Sequence, residues 1–173
     1  MALPDAGCYE FLEYGSYIIL NEGWNFISVP KLSPDMTSDY LFPTRISQVF
    51  EFNNIYLVVN ELENGKGYAV KFDQPQFVYV EGEFVSFPIQ VSIGWNIIGP
   101  FHEDVVISQI TSLPPEIITS NFFSFNGIQY VVEDILNPGK GYWVKVSENG
   151  MLNFDANSII EKVGKQVFKI GTK

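Results

Sequence analysis

The sequence predicts an all-β chain made of two tandem homologous units, each a small β-sandwich or barrel-like sheet carrying one short helix. The first observation is a repeat. Gly23-Trp24-Asn25-Phe26-Ile27-Ser28-Val29-Pro30 returns as Gly94-Trp95-Asn96-Ile97-Ile98-Gly99-Pro100. Phe50-Glu51-Phe52-Asn53-Asn54-Ile55 returns as Phe123-Ser124-Phe125-Asn126-Gly127-Ile128, and Asn64-Gly65-Lys66-Gly67-Tyr68-Ala69-Val70-Lys71 as Pro138-Gly139-Lys140-Gly141-Tyr142-Trp143-Val144-Lys145. Three blocks in one order, 71 to 74 residues apart, mark a duplicated unit. The second observation is the dominance of alternating and β-branched or aromatic runs, which favour strands. The third is an aromatic content of 16%, with 15 Phe and 9 Tyr. A unit of about 70 residues buries only about 60% of its unfolded surface. Large rings compensate, because each covers much area.

In chain order, strands are expected in the first unit at Ser16–Leu20, Trp24–Val29, Ile46–Phe52, Ile55–Val59, Gly67–Phe72 and Phe77–Val80. The second unit places them at Phe84–Val91, Trp95–Gly99, Phe122–Phe125, Ile128–Val132, Gly141–Val146 and Met151–Phe154. Asn53-Asn54 and Asn126-Gly127 each read as a two-residue hairpin turn, the second more strongly, because a type I′ turn needs positive φ at both central residues. Pro34–Phe42 carries early capping residues and ends at Pro43, which predicts a helix. Val106, Ile107 and Ile110 fall at helical spacing within Glu103–Leu113, before Pro114-Pro115, which predicts another. The units divide near Glu81-Gly82-Glu83, giving an N-terminal arm (1–13), two repeat units (14–82 and 83–156) and a C-terminal segment (157–173). No flexible Ser- or Pro-rich linker separates the units, so a fixed relation and close packing are expected.

The formal net charge is −10, with 10 Lys and Arg against 20 Asp and Glu. Phosphate backbones need cationic partners, so neither nucleic acid nor an anionic membrane surface is an expected partner. The balance is −13 over residues 1–156 and +3 over residues 157–173. That basic tail reads either as a solvated end or as a segment docking on its own body or a neighbour's. Its apolar residues Ile159, Ile160, Val163, Val167, Phe168 and Ile170 are candidate oligomer contacts. A single cysteine, Cys8, allows no internal disulfide. Residues 1–7 lack the basic and apolar regions of a secretory signal, and no apolar run approaches the roughly 20 residues that span a bilayer.

No constellation points to catalysis. His102 is the lone histidine, no Gly-x-Ser-x-Gly elbow is present, and a zinc site needs more His or Cys ligands. It reads as an exposed loop residue. Gly65-Lys66-Gly67 and Gly139-Lys140-Gly141 resemble phosphate loops only superficially. Tyr and Val follow each, opening a strand where a Walker motif opens a helix, so both read as tight turns. Glu61, Glu63, Glu81, Glu83, Glu103 and Asp104 offer oxygens for Ca²⁺, but in no EF-hand pattern. A glycosidase carboxylate pair is not visible in a sequence. No metal, cofactor or enzymatic activity is expected. Trp24, Trp95 and Trp143, with Tyr68 and Tyr142, have two readings: a duplicated core, or a stacking platform for sugar rings.

The Gly-Trp-Asn block, the aromatic hairpin and Leu136-Asn137-Pro138-Gly139-Lys140-Gly141-Tyr142-Trp143-Val144 together resemble a repeat module of large bacterial and archaeal surface proteins. Similar repeats ending in a Gly-Tyr strand occur in structural proteins of tailed phages. The resemblance covers residues 14–156 and fits the second unit best. The first departs at Asn64, where the pattern has Pro, and at Ala69, where it has Trp. It transfers no catalytic residue. It implies a non-enzymatic structural protein of an assembled particle, such as a phage tail, baseplate or capsid-decorating protein, whose partners are other protein subunits. With Met1 as the native start, the expected location is the virion. The alternative is a secreted or cell-surface adhesion module, with a surface glycan as possible partner.

Overall fold

Residues 15–154 are described by the computed structural model. The N-terminal arm with Cys8, and the oligomer contacts expected at Ile159, Ile160, Val163, Val167, Phe168 and Ile170, lie outside the described residues. The first half runs β1 (Gly15–Leu20), β2 (Gly23–Ser28), a one-turn α1 (Ser38–Leu41), β3 (Val49–Asn53), β4 (Ile55–Val59), β5 (Gly67–Phe72) and β6 (Gln76–Glu81). The second runs β7 (Ile89–Val91), β8 (Gly94–Ile98), β9 (Val105–Val106), β10 (Thr111–Leu113), β11 (Phe122–Phe125), β12 (Tyr130–Glu133), β13 (Ile135–Leu136), β14 (Tyr142–Val146) and β15 (Gly150–Asn153). The fold is all-β and sandwich-like, with antiparallel ladders throughout.

One strand order occurs in both halves. The first holds a four-stranded sheet β2-β5-β3-β4 and the second a four-stranded sheet β8-β14-β11-β12. Below each lies a smaller sheet, β1-β6 in the first half and β7-β15-β10 in the second. Alternation fixes which side faces inward. Ile18 and Leu20 of β1 and Tyr68, Val70 and Phe72 of β5 enter one core; Ile89 and Val91 of β7 and Tyr142, Val144 and Val146 of β14 enter the other. These are two separate clusters. One draws on residues 18–80 and the other on residues 85–154.

The repeated blocks have local reasons. Asn25 Oδ1 accepts from the Asn21 N–H at 2.9 Å, and its Nδ2 donates back to the Asn21 and Gly23 carbonyls. Asn96 does the same for Ser92 and Gly94. The Asn of each Gly-Trp-Asn block therefore staples the turn that enters its strand. Tyr68 and Tyr142 are 1% and 0% exposed. Their hydroxyls accept from the Glu63 and Asn137 N–H groups, each at 2.7 Å.

Several expectations change. The segment Glu103–Leu113 folds as β9, a three-residue 3-10 turn (Ile107–Gln109) and β10, not as an α-helix. Its β-branched residues favour strands, and Val105 and Val106 find ladder partners in Leu136 and Ile135. The helix expected over Pro34–Phe42 contracts to one turn, capped by Thr37 and stopped before Pro43. The strand expected from Phe84 begins at Ile89, just after Pro88, whose ring nitrogen has no hydrogen to donate. The second hairpin pairs Phe125 with Tyr130, so four residues connect its strands. Asn126 closes that loop through its own side chain, which accepts from the Ile128 and Gln129 N–H groups.

Candidate functional site

The halves meet reciprocally. Ser28 N–H donates to the Gly139 carbonyl at 3.1 Å, and Gly99 N–H, at the matching position, donates to the Gly65 carbonyl at 3.1 Å. Bridges Ile27–Lys140 and Lys66–Ile98 repeat the exchange. Each Gly-Lys-Gly segment thus lies against the Gly-Trp-Asn strand of the opposite half. Gly65 and Gly139 sit in the expected tight turns, each at a φ of 84°, while Gly67 and Gly99 serve close approach. A Cβ on Gly99 would overlap the Ser28 side chain, and one on Gly67 would overlap Ile97. At the junction, Lys31 of the first half is buried with Nζ 4.3 Å from the Phe84 ring centroid. Phe84 also meets the His102 ring at 4.4 Å, so His102 lies in the expected loop but is half-buried there and not exposed.

This pairing brings the outward faces of the two four-stranded sheets toward each other. Alternation places Trp24 and Phe26 of β2, Phe50 and Phe52 of β3 and Ala69 of β5 on one face. The opposing face carries Trp95 of β8, Phe123 and Phe125 of β11, Tyr130 of β12 and Trp143 of β14. Rings bridge the gap. Phe26 contacts Phe125 at 6.0 Å, Tyr130 at 6.2 Å and Trp143 at 5.8 Å between centroids. Phe52 meets Trp143 edge-on at 4.7 Å. Such tilted and T-shaped pairs suit the ring quadrupole.

Two hollows flank the bridge. One, about 350 Å³, is lined by Phe52, Trp95, Phe123, Tyr130 and Trp143. The other, about 390 Å³, is lined by Trp24, Phe26, Phe50, Tyr56, Ala69, Phe125 and Tyr130. Neither lining contains a charged side chain. Trp24 and Trp95 remain 43% and 41% exposed at the cleft. Trp143 is more enclosed, and its buried Nε1–H finds no acceptor among the described residues.

The expected ligand platform therefore divides. Trp24, Trp95 and Trp143 share the cleft, but Tyr68 and Tyr142 do not. Their rings lie inside the two cores, where burial pushes both hydroxyls up, Tyr142 to about 12. The rings that the sequence reading missed are Phe26, Phe50, Phe52, Phe123, Phe125, Tyr56 and Tyr130. Their signal was present as outward positions on strands that ought to be polar if those faces met water.

The acidic residues named as calcium candidates do not gather: among the described residues, no three His, Cys, Asp or Glu side chains cluster as metal ligands. No helix among them is long and apolar enough to cross a membrane. Comparison with known protein families, curated proteins and solved structures finds no match to this chain.

Proposed function

We propose that this chain is a non-catalytic structural protein whose copies join one another through the aromatic cleft, as a component of an assembled particle of the virion type. The resemblance to phage and surface-protein repeats motivates the class, and the tandem units are part of that reading. The observation that carries the joint is the cleft itself. Rings from both halves form one apolar, charge-free surface, and monomers seldom leave large apolar patches to water without a use. Interface cores are rich in Trp, Tyr and Phe and poor in charge, which is the composition found here.

A glycan would use the same rings, but sugar recognition also needs several convergent polar groups to fix the hydroxyls. The linings offer only the Tyr56 and Tyr130 hydroxyls and the indole N–H groups. Protein contact fits them better. The test is solution mass by light scattering across a wide concentration range, for the full chain and for Tyr130→Lys. Tyr130 borders both hollows and is exposed, so the variant charges the cleft without burying a lysine in a core. A discrete oligomer lost in Tyr130→Lys is expected. A wild-type monomer throughout, or an oligomer indifferent to the substitution, would overturn the reading.

A further inference from the structure

The contacts between the halves exchange their roles, as a two-fold rotation does: Ile27–Lys140 in one direction is Ile98–Lys66 in the other. The segment joining the halves runs from the end of β6 at Glu81 to the start of β7 at Ile89. It is held on the way. Glu83 exchanges two backbone hydrogen bonds with Leu32, each at 3.0 Å, Phe84 meets Lys31 and His102, and Phe87 packs on Phe101 at 4.9 Å. The same exchange of halves turns the path from β6 to β7 into a path from β15 to β1. The described chain ends at Phe154, at the head of that path. Phe168 comes 14 residues later, a reach of up to about 45 Å. That is ample for a body of this length, whose radius of gyration is about 14 Å.

At the far end of the path stands an apolar face that no described residue covers. The β1-β6 ribbon turns Tyr17, Ile19, Phe77 and Tyr79 outward, each between 47% and 71% exposed. Tyr17 lies opposite Tyr79, with ring centroids 5.0 Å apart, and Ile19 lies opposite Phe77. A sheet face that meets water is ordinarily polar. The second half comes closer to that rule, with Gln90, Met151 and Asn153 in the places of Ile19, Phe77 and Tyr79. There β10 also adds a third strand beside β15, whereas no third strand among the described residues joins β6. The ribbon is acidic as well. Residues 15–23 and 73–83 hold Glu22, Asp73, Glu81 and Glu83 and no Lys or Arg. None of the four pairs with a base among the described residues.

We infer that the C-terminal tail, residues 157–173, folds back on its own chain and covers the outward face of the β1-β6 ribbon. Its charge is the complement of the ribbon's: Lys162, Lys165, Lys169 and Lys173 against Glu161 alone. Phe168 and Ile170 are two residues apart, the spacing of Tyr17 and Ile19 and of Phe77 and Tyr79 on the strands they meet. The N-terminal arm is the other segment outside the described residues. It carries Asp5, Glu10 and Glu13 and no base, so like charge sets it against this ribbon. A tail held by its own chain leaves the aromatic cleft free, so this inference stands apart from the assembly reading.

A nitroxide spin label tests it. Thr172→Cys in a Cys8→Ser background carries the label at the end of the tail of an otherwise complete chain. Nuclear magnetic resonance of the nitrogen-15 chain then shows which backbone amides the label broadens. Selective broadening at Tyr17, Ile19, Phe77 and Tyr79 is expected, and it should vanish when Phe77→Lys sets a like charge in the tail's seat. Glu81→Lys keeps the rings and should weaken the broadening. Unchanged resonances of β8 and β14 show that each variant is folded. Broadening that spares the ribbon, that falls on the cleft strands β2 and β8, or that persists undiminished in both variants overturns the inference. A second sample mixes spin-labelled chains lacking nitrogen-15 with unlabelled nitrogen-15 chains. No broadening is expected there. Broadening of the ribbon in the mixture equal to that in the first sample assigns the contact to a neighbour's tail and overturns the fold-back.

Discussion

Trp143 is one of the side chains that link the halves across the cleft. Its indole touches Phe26 and Phe52 of the first half and Trp95 of its own sheet. Truncating a large packed ring costs about 3–5 kcal/mol in a closed core, and Trp143 is only partly enclosed. Trp143→Ala should therefore lower unfolding free energy by about 3 kcal/mol, measured by chemical denaturation. The buried tyrosines make a separate prediction. Burial raises the folded pKa of Tyr142 to about 12, above the unfolded value near 10. Folding thus favours the neutral phenol, so its contribution is whole below about pH 10 and disappears as pH rises through about 12. Thermal melting should fall steeply over that window. Tyr142→Phe should lose part of that fall and should cost about 1 kcal/mol at neutral pH, because the Asn137 N–H loses its acceptor.

Among the elements, the reciprocal Gly-Lys-Gly contacts show what the repeat encodes. Gly99→Ala forces a methyl group into Ser28 where two backbones cross. Over-packing of this kind costs about 1–3 kcal/mol, and it should fall on the contact between the halves more than on either core. Hydrogen exchange should then quicken at the Gly99 and Ser28 amides, which cross the junction, before it quickens at Val70 or Val144. Uniform acceleration would contradict this. The strands were largely legible, because alternation and bulk at β1, β2, β4, β5, β11 and β14 leave few choices. The helix expected over Glu103–Leu113 was not: Val106, Ile107 and Ile110 fit helical spacing, yet short β-branched runs are ambiguous until a partner strand appears. Here β13 is that partner. The four-residue Asn126–Gln129 loop was missed for a similar reason, since Asn126 satisfies backbone donors with its own side chain.

Across the whole molecule, the sequence disclosed which residues repeat but not which faces confront each other. The tryptophans of the Gly-Trp-Asn blocks suit a core or a platform equally well on pattern alone. Only the crossing of each Gly-Lys-Gly segment onto the opposite half turns both outward faces into one cleft. The Ala69–Trp143 difference was visible from the start as a departure within the repeat, and its meaning as a hollow needed the opposing rings.

All three tryptophans of the chain, Trp24, Trp95 and Trp143, line that cleft. Their fluorescence is therefore a direct gauge of whether assembly covers it. Acrylamide quenching should be measured on the full chain in dilute and in assembled solution. A cleft that joins subunits predicts that quenching drops and emission shifts to the blue as the oligomer forms. An oligomer whose tryptophans quench as freely as those of the monomer would place the joint elsewhere and contradict the account.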